Sequence, residues 1–309
     1  MDRPDYRTII DAPTWDFIHR TDAAYPPDTA TLSIADQRAI YDGMCRAFHR
    51  GYPPGVIAHD RSFAGVPCRH YAGHGGTIAY FHGGGFVVGG LHSHDDVCAE
   101  LCAATGLHVV SVDYRLCPEH PHPAAFHDAL AATKAIAAEL PAPLLLAGDS
   151  AGGNLAAATA HAIGRNGALG IAGQVLIYPG LGGNRDAGSY LTHAHAPMLT
   201  RDDVLFYATT RHGGGAEPPQ DPTFAPLSDT DFTGLPPTLA IAAECDPLAD
   251  DARSYAARIT AAGGTAQAVT ETGLVHGYLR ARSAVPRAAA SFARITTALS
   301  AMARGDWRP

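Results

Sequence analysis

One pentapeptide, GDSAG at residues 148–152, constrains the fold of this 309-residue chain more than any other feature. It follows an apolar segment, 144–147, and opens an alanine-rich helical segment, 151–163. A strand that turns this sharply into a helix strains its central serine, and the residues two before and two after must lack side chains. Glycines stand at both places. The pattern predicts that Ser150 is a nucleophile raised over a sheet edge, with a plain glycine-rich turn as the alternative.

Short apolar segments alternate with helical segments from residue 77 onwards. The apolar segments lie at 77–81, 107–113, 144–147, 175–178, 238–243 and 266–271, and the helical ones at 95–105, 126–140, 151–163, 250–262 and 284–302. Strands that alternate with helices pair in parallel and form a sheet covered on both faces. The sequence therefore predicts an α/β fold with a mostly parallel sheet, preceded by a hairpin that turns at residues 64–65.

Two parts of the chain interrupt this alternation. Residues 181–221 are rich in glycine, histidine and proline and contain one helical stretch, 201–211. A long insertion after a strand is where a lid or a substrate pocket commonly lies. Residues 1–50 have amphipathic helical spacing and are expected to join it. The remaining segments, 51–180 and 222–309, are then the catalytic core.

A glycine-rich run, HGGGF at residues 82–86, follows the first of the predicted parallel strands. Glycines let backbone N–H groups approach a ligand, and fixed N–H groups stabilise the negative oxygen of a tetrahedral intermediate. We expect the N–H groups of Gly84 and Gly85, with that of Ala151, to form this oxyanion hole. His82 is expected to tie the loop down. A flexible loop or a phosphate cradle is the alternative, although no P-loop pattern is present.

The order of acid and base along the chain selects their residues. In hydrolases with this serine turn, the acid and then the histidine follow the nucleophile. His276 is the one histidine after residue 213. Asp246 lies just beyond the predicted strand 238–243, whereas Asp250 and Asp251 are expected to begin the next helix, where acidic residues favour the helix dipole.

These three residues predict a serine hydrolase that cleaves carboxylic esters through a covalent acyl-enzyme. His276 would take the proton of Ser150 and return a proton to the leaving alcohol. Asp246 would fix the imidazole tautomer and stabilise the imidazolium. The chemistry needs no cofactor and no metal.

The amino-acid composition limits the possible binding partners and the cellular compartment of the protein. The net charge is −8 with no Lys/Arg run, which argues against nucleic acid as a partner. We expect no membrane span and no signal peptide, because no apolar stretch has the required length. The six cysteines form no C-x-x-C pair and are expected to be reduced, buried thiols in a cytoplasmic protein.

The motifs together resemble the hormone-sensitive-lipase family of α/β-hydrolase esterases. The matching stretches are HGGGF (82–86), DYRLCPEHPHPAAFHDA (113–129), GDSAGGN (148–154), CDPLADD (245–251) and VHGY (275–278). Residues 178–190 and 197–204 look closest to bacterial acetyl-esterase-like members. The resemblance implies an eight-stranded sheet, a helical cap built from residues 1–50 and 181–221, and hydrolysis of short acyl esters without a cofactor. It also leaves a homodimer open.

Asp251 departs from the family pattern, since many members have glutamate there, and we interpret the change as one of helix capping. Two other functions remain. A metallohydrolase is suggested by HSHDD at 92–96 with His120, His122 and His127, but residue 97 is valine where a ligand is required, which favours solvated loop histidines. A binding protein without activity would have lost a member of the triad. Amide or carbonate hydrolysis stays open within the enzyme class.

Overall fold

The computed structural model describes residues 4–26, 28–164 and 169–309. Residues 1–3 and 27 of the expected N-terminal cap, and residues 165–168 of the expected core, lie outside the described residues. In the described part of the chain, eight strands form one sheet in the order β1-β2-β4-β3-β5-β6-β7-β8. They are β1 Ala58–Phe63, β2 Val66–Tyr71, β3 Thr77–Phe81, β4 His108–Val112, β5 Leu144–Asp149, β6 Ile171–Ile177, β7 Thr238–Cys245 and β8 Ala266–Val275.

The sheet is antiparallel at one edge and parallel elsewhere. The β1–β2 and β2–β4 pairs are antiparallel, and every pair from β4 to β8 is parallel. The predicted hairpin is present, and its two-residue turn has positive φ at both Ala64 and Gly65. This turn is tighter than expected, so β2 starts at Val66 rather than at residue 68.

Helices cover both faces of the sheet. They are α1 Tyr6–Ile9, α2 Ala12–Asp22, α3 Ile34–Phe48, α4 Asp95–Thr105, α5 Ala124–Glu139, α6 Ala151–Gly164, α7 Ser189–Thr192, α8 Arg201–Arg211, α9 Ala249–Ala261 and α10 Pro286–Arg304. Successive side chains of β3 alternate between two separate cores. Ala79 and Phe81 pack with α5, α6 and α9, whereas Ile78 and Tyr80 pack with α4 and α10. The predicted α/β fold, a mostly parallel sheet flanked by helices, is confirmed.

The carboxyl ends of the parallel strands meet at one edge of the sheet. Phe81 at the end of β3 lies opposite Gly148 near the end of β5, and Cys245 of β7 lies opposite Val275 of β8. The loop after β3 and the residues after β5, β7 and β8 therefore emerge side by side. Residues far apart in sequence are brought together here by the strand order alone.

The N-terminal helices and the insertion lie over that edge. Arg38 of α3 donates hydrogen bonds to the carbonyl oxygens of Val87 and Cys117, at 2.8 Å each, so α3 is fastened to the loop after β3. The insertion contains α7 and α8, and α8 spans the helical stretch predicted at 201–211. Of the helices that the structure describes, none combines the length and apolar composition of a bilayer span.

All six cysteines lie within the described residues, and all six are buried with no disulfide between them. Burial raises the pKa of the Cys68 thiol to about 12 and that of the Cys245 thiol to about 12. The thiols therefore stay protonated and behave as small apolar side chains. The expected burial of the six cysteines is confirmed.

Candidate active site

The turn between β5 and α6 has the geometry expected of a strained serine. Ser150 has φ +54°, in the left-handed region that side chains other than glycine rarely adopt. A Cβ atom on Gly148 would overlap the carbonyl of Gly152, and one on Gly152 would overlap the carbonyl of Phe81. Glycine is thus the residue that fits at both places. The turn directs the Ser150 hydroxyl away from the sheet.

His276 and Asp246 meet Ser150 at the sheet edge. The Nε2 atom of His276 lies 2.9 Å from Ser150 Oγ, and its Nδ1 lies 2.7 Å from Asp246 Oδ2. Asp246 has no exposed surface, and its other oxygen accepts a 2.8 Å hydrogen bond from the N–H of Leu248. Because a carboxylate only accepts, Nδ1 carries the proton, and Nε2 is left to accept the serine's proton.

Three residues expected to offer backbone N–H groups, Gly84, Gly85 and Ala151, line the same cavity as Ser150. Gly84 has φ +131° and Gly85 φ +60°, and a Cβ on either would overlap the Val88 carbonyl or the Tyr207 ring. Within the described residues, the N–H groups of Gly84, Gly85 and Ala151 donate to no acceptor. The last of these is also at the start of α6, where the helix dipole is positive. These N–H groups can donate hydrogen bonds to the negative oxygen of a tetrahedral intermediate.

A buried carboxylate fastens this loop to the serine turn. Asp149 accepts hydrogen bonds from the Tyr80 hydroxyl at 2.8 Å and from the Gly83 N–H at 2.9 Å, and His94 Nε2 lies 3.2 Å away. Burial acts to raise the pKa of Asp149, but His94 and the Tyr80 hydrogen bond outweigh it and hold that pKa well below its usual range. Asp149 stays ionised and fixes the loop next to Ser150.

His82 holds the same loop from its other side. Its Nδ1 lies 2.8 Å from the Gly83 carbonyl, and its ring stacks on Tyr114, whose hydroxyl donates to the His82 carbonyl at 2.7 Å. Burial lowers the pKa of His82 to about 3, so the ring is neutral. The expected role of His82 in tying the loop down fits these contacts.

The interpretation of the 92–96 histidines as solvated was wrong for His94. This side chain is 2% exposed and binds Asp149, because the loop after β3 folds back under the sheet edge. His122 is also shielded and lies 2.9 Å from Asp221. His92, His120 and His127 are exposed, as expected. Across residues 4–26, 28–164 and 169–309, no three Asp, Glu, His or Cys side chains converge as metal ligands.

The helix-capping interpretation of Asp251 was also wrong. Asp251 is in the first turn of α9, but its Oδ2 turns away and accepts hydrogen bonds from the Leu181 N–H at 2.6 Å and the Tyr190 hydroxyl at 3.0 Å. Both donors belong to the insertion. Burial raises the pKa of Asp251 to about 7. This carboxyl anchors the insertion beside Asp246 instead of capping a helix.

A cavity of about 570 Å³ opens over Ser150 and His276. Its wall includes tyrosines from the N-terminal helices and the insertion, among them Tyr25, Tyr41 and Tyr207, and one arginine at the end of α8, Arg211. The sequence analysis did not single out these wall residues. They come from elements that have no motif, and only the packing of the whole chain brings them to the site.

Comparison with known proteins gives one family and a consistent set of relatives. Residues 78–280 match the family model described as the alpha/beta hydrolase fold. The carboxylesterase NlhH of Mycobacterium tuberculosis is 36% identical over 283 residues, 89% of this chain and 84% of that protein. The ethyl acetate hydrolase of Pseudomonas putida is 32% identical and covers 73% of each chain.

Among solved structures, this chain is similar to an ester hydrolase from the metagenome of Lake Arreo, bound to a bipyridine phosphonate derivative. The two share 31% of their residues with a TM-score of 0.86, over 95% of this chain and 99% of the other. The match therefore includes the helices above the sheet edge as well as the core.

Proposed function

This chain belongs to the α/β-hydrolase family and is a carboxylesterase, and on that premise we propose that it hydrolyses short- to medium-chain, acetyl-type esters through an acyl-enzyme on Ser150. The observation that carries the proposal is the line of contacts from Ser150 Oγ through His276 to Asp246, at 2.9 Å and 2.7 Å. A serine hydroxyl becomes nucleophilic when a neutral imidazole is placed to take its proton.

The proposed reaction has two halves with the same proton path. Ser150 Oγ attacks the ester carbonyl carbon while its proton moves to Nε2 of His276, and the carbonyl oxygen becomes negative. The N–H groups of Gly84, Gly85 and Ala151 stabilise that oxygen. Collapse breaks the bond to the alcohol oxygen, which takes the proton from Nε2. Water then repeats the sequence on the acyl-enzyme, releasing the carboxylic acid and restoring Ser150.

The preference for small acyl groups is supported by the walls of the cavity. Cavities of a few hundred Å³ enclose small ligands on most sides, and here aromatic rings from α3 and α8 line the cavity that opens over Ser150. An activity on ethyl acetate, as the name of the Pseudomonas putida relative states for that protein, would fit the same space.

The same proposal assigns the parts of the molecule. Residues 1–50 and 181–221 form the cap over the catalytic core of residues 51–180 and 222–309. The unpaired, buried thiols support a reducing compartment, and we propose the cytoplasm. A homodimer stays a prediction, for which light scattering of the purified protein is the measurement.

The test is a hydrolysis profile over p-nitrophenyl esters from acetyl to palmitoyl, with Ser150→Ala in parallel. We expect the highest kcat/KM among short to medium acyl chains and a loss of roughly 10⁶-fold in kcat for Ser150→Ala. Ser62→Ala, an exposed serine on the edge strand β1, is the matched control and should keep wild-type rates. A Ser150→Ala protein that retained a tenth of the wild-type rate would refute the nucleophile.

A further inference from the structure

One cation in the wall of the cavity forms no ion pair with a carboxylate among the described residues. Arg211, the last residue of α8, is 5% exposed and borders the cavity. Its guanidinium lies between two aromatic rings, 3.6 Å from the ring centre of Phe86 and 4.3 Å from that of Phe224. The rings fix the plane of the guanidinium and exclude water from both of its faces.

The polar contacts of Arg211 are all to neutral acceptors. Nη1 donates to the Phe224 carbonyl at 2.9 Å, and Nη2 donates to Asn154 Oδ1 at 3.1 Å and to the Thr223 carbonyl at 3.3 Å. In the described part of the chain, no Asp or Glu forms an ion pair with it, and its Nε has no acceptor. Since guanidinium has five N–H donors, donors remain for a ligand.

Burial without a carboxylate is unfavourable for a cation. It lowers the pKa of Arg211 to about 9, which still leaves the side chain charged at neutral pH. The nearby acids are already engaged. Asp221 binds His122 at 2.9 Å, and Glu217 holds Arg185 with two hydrogen bonds. Asp221 and Glu217 therefore act on the charge of Arg211 only from a distance, burial outweighs them, and no carboxylate contacts the guanidinium directly.

The other arginines of the cavity wall differ in this respect. Arg185 is neutralised by Glu217 at 2.6 and 3.0 Å. Arg280 donates to the Ser93 carbonyl and the Tyr41 hydroxyl, and its charge is one of those that favour the ionised form of buried Asp149. For Arg280 the nearby charges outweigh burial and raise its pKa, whereas for Arg211 burial outweighs Asp221 and Glu217 and lowers its pKa, so Arg211 is the natural place in this wall for an anion.

The position of Arg211 places that anion close to the reacting bond. Its partner Asn154 is one helical turn after Ser150 on α6, which is about 6 Å along the axis. Its stacking partner Phe86 directly follows Gly85 of the proposed oxyanion loop. Arg211 thus joins the nucleophile's helix to the oxyanion loop. An anionic group a few bonds from the scissile carbonyl of a bound ester can therefore reach Arg211.

We propose that Arg211 is a specificity residue that binds a carboxylate, and that the preferred substrates are esters bearing a carboxylate a few bonds from the scissile carbonyl. The inference rests on the proposed esterase function and deepens it by naming the charge of the substrate. The carboxylate supplies the missing ion-pair partner through a charge-assisted hydrogen bond to the guanidinium. The acyl part and the alcohol part of an ester can each carry such a group.

The experiment compares each anionic ester with a neutral ester of the same shape. Monomethyl glutarate and methyl isoheptanoate differ in the acyl part, and O-acetyl γ-hydroxybutyrate and isohexyl acetate differ in the alcohol part. Released acid is titrated at a constant, near-neutral pH to obtain kcat/KM. The pair with the higher ratio of anionic to neutral kcat/KM in the wild-type protein identifies which part of the ester reaches Arg211.

The variants Arg211→Gln and Arg211→Lys test the residue itself. Arg211→Gln should lower the anionic-to-neutral ratio by about 10- to 100-fold, the effect expected of a hydrogen bond to a charged group. Arg211→Lys keeps the positive charge, so its anionic-to-neutral ratio should fall less. Arg304→Gln removes an exposed arginine that is paired with Asp306 outside the cavity, and its ratio should match that of the wild type. An unchanged ratio in Arg211→Gln overturns the proposal and leaves Arg211 a tether for α8.

Two further outcomes are distinct. All four esters left uncleaved by the wild type would refute the esterase proposal, whereas neutral esters cleaved at rates far above both anionic ones would refute only the role of Arg211. If Arg211→Gln does not fold, inhibition of the wild-type protein tests whether the cavity binds a carboxylate. Valerate should then inhibit cleavage of isohexyl acetate at least about 10-fold more strongly than valeramide, and equal inhibition overturns the proposal.

Discussion

Ser150 is held in a backbone conformation that it would not choose alone. A non-glycine residue in the left-handed region costs on the order of 1–3 kcal/mol, and the surrounding structure must impose it. Here the Ser150 N–H donates to the Ile177 carbonyl at 2.9 Å, and its own carbonyl accepts from the Asn154 N–H at 3.1 Å. The serine backbone is thus fixed between β6 and α6, and its hydroxyl lies 2.9 Å from Nε2 of His276.

Asp246, which contacts the imidazole of His276, provides a direct test of the proposed proton path. In Asp246→Asn an amide replaces the carboxylate that faces Nδ1, and an amide N–H there forces Nδ1 to accept and Nε2 to hold the proton. We expect kcat to fall by about 10⁴-fold with little change in the folded structure. Steady-state kinetics on p-nitrophenyl acetate measures the loss.

A second Asp–His pair serves as the control for that substitution. Asp42, which is half-buried, lies 3.0 Å from exposed His92, outside the cavity over Ser150. Asp42→Asn should leave kcat within about twofold, as surface substitutions usually do little. A loss of less than tenfold in Asp246→Asn would mean that Asp246 does not orient the imidazole.

Much of the proposed site could be predicted from the sequence because each of its residues follows a strand or lies in a short motif. Ser150, Asp246 and His276 were singled out in this way, and the structure brings all three within hydrogen-bond distance. The contact between His94 and Asp149 could not be predicted. Their 55-residue separation carries no pattern, and only the folding of the loop after β3 places the imidazole under the serine turn.

The loop after β3 is the element that we propose stabilises the transition state. Its conformation requires positive φ at Gly84 and Gly85, and Val88 and Tyr207 leave no room for side chains there. Asp149 and His82 fasten the preceding residue, Gly83. The N–H groups are therefore oriented before substrate arrives, which is what makes fixed dipoles effective in catalysis.

A side chain on this loop should reduce turnover more than binding. In Gly84→Ala the new methyl group meets the Val88 carbonyl and moves the N–H groups, so we expect kcat to fall by about 10²-fold or more. KM should change little, since the stabilisation is realised in the transition state. Measuring kcat and KM separately on one short ester shows which of the two the substitution changes.

The control is a glycine of similar backbone conformation in open space. Gly65, in the β1–β2 turn, has φ +82°, and a Cβ added there would have no described atom within 4 Å beyond its chain neighbours. Gly65→Ala carries a comparable backbone strain without disturbing the loop, and its kcat should remain near that of the wild type. An effect of Gly84→Ala confined to KM would show that the loop only binds the substrate.

Element identities followed from periodicity, whereas their exact ends and the short helices did not. The stretch predicted at 201–211 is α8, and its Thr200–Asp203 capping box explains why the helix starts there. The short helix α7, Ser189–Thr192, has too few residues for any periodicity to appear. It forms because the Ser189 N–H and hydroxyl bind Asp250 and the Pro247 carbonyl, contacts about 60 residues away in sequence.

At the scale of the whole molecule, one buried carboxyl joins the insertion to the core. Asp251 is 1% exposed and accepts hydrogen bonds from the Leu181 N–H and the Tyr190 hydroxyl, while its Oδ1 has no partner among the described residues. Burial, together with the nearby charge of Asp246, raises the pKa of Asp251 to about 7, against 3.8 for an ordinary aspartate. The protonation state of this one carboxyl should therefore change the free energy of unfolding of the whole protein.

The sign of that effect follows from the direction of the pKa shift. A carboxyl whose pKa is higher in the folded state binds more protons there, so its contribution to stability is fully present below about pH 4 and is lost as the pH rises through 7. Asp251→Asn cannot titrate. At about 1.4 kcal/mol per pKa unit, the free energy of unfolding of the wild type should fall relative to that of the variant by up to about 4 kcal/mol between pH 4 and 8.

Urea unfolding of both proteins across this pH range measures the difference, with Asp250→Asn as the neighbouring control. Hydrogen bonds from Arg253 and the Ser189 N–H outweigh the burial of Asp250 and lower its pKa. Its contribution must therefore have the opposite sign, present above the unfolded pKa and lost as the pH falls. Parallel stability curves for Asp251→Asn and the wild type would mean that the folded and unfolded chains bind the Asp251 proton equally well, and the carboxyl would then be only a geometric anchor for the insertion.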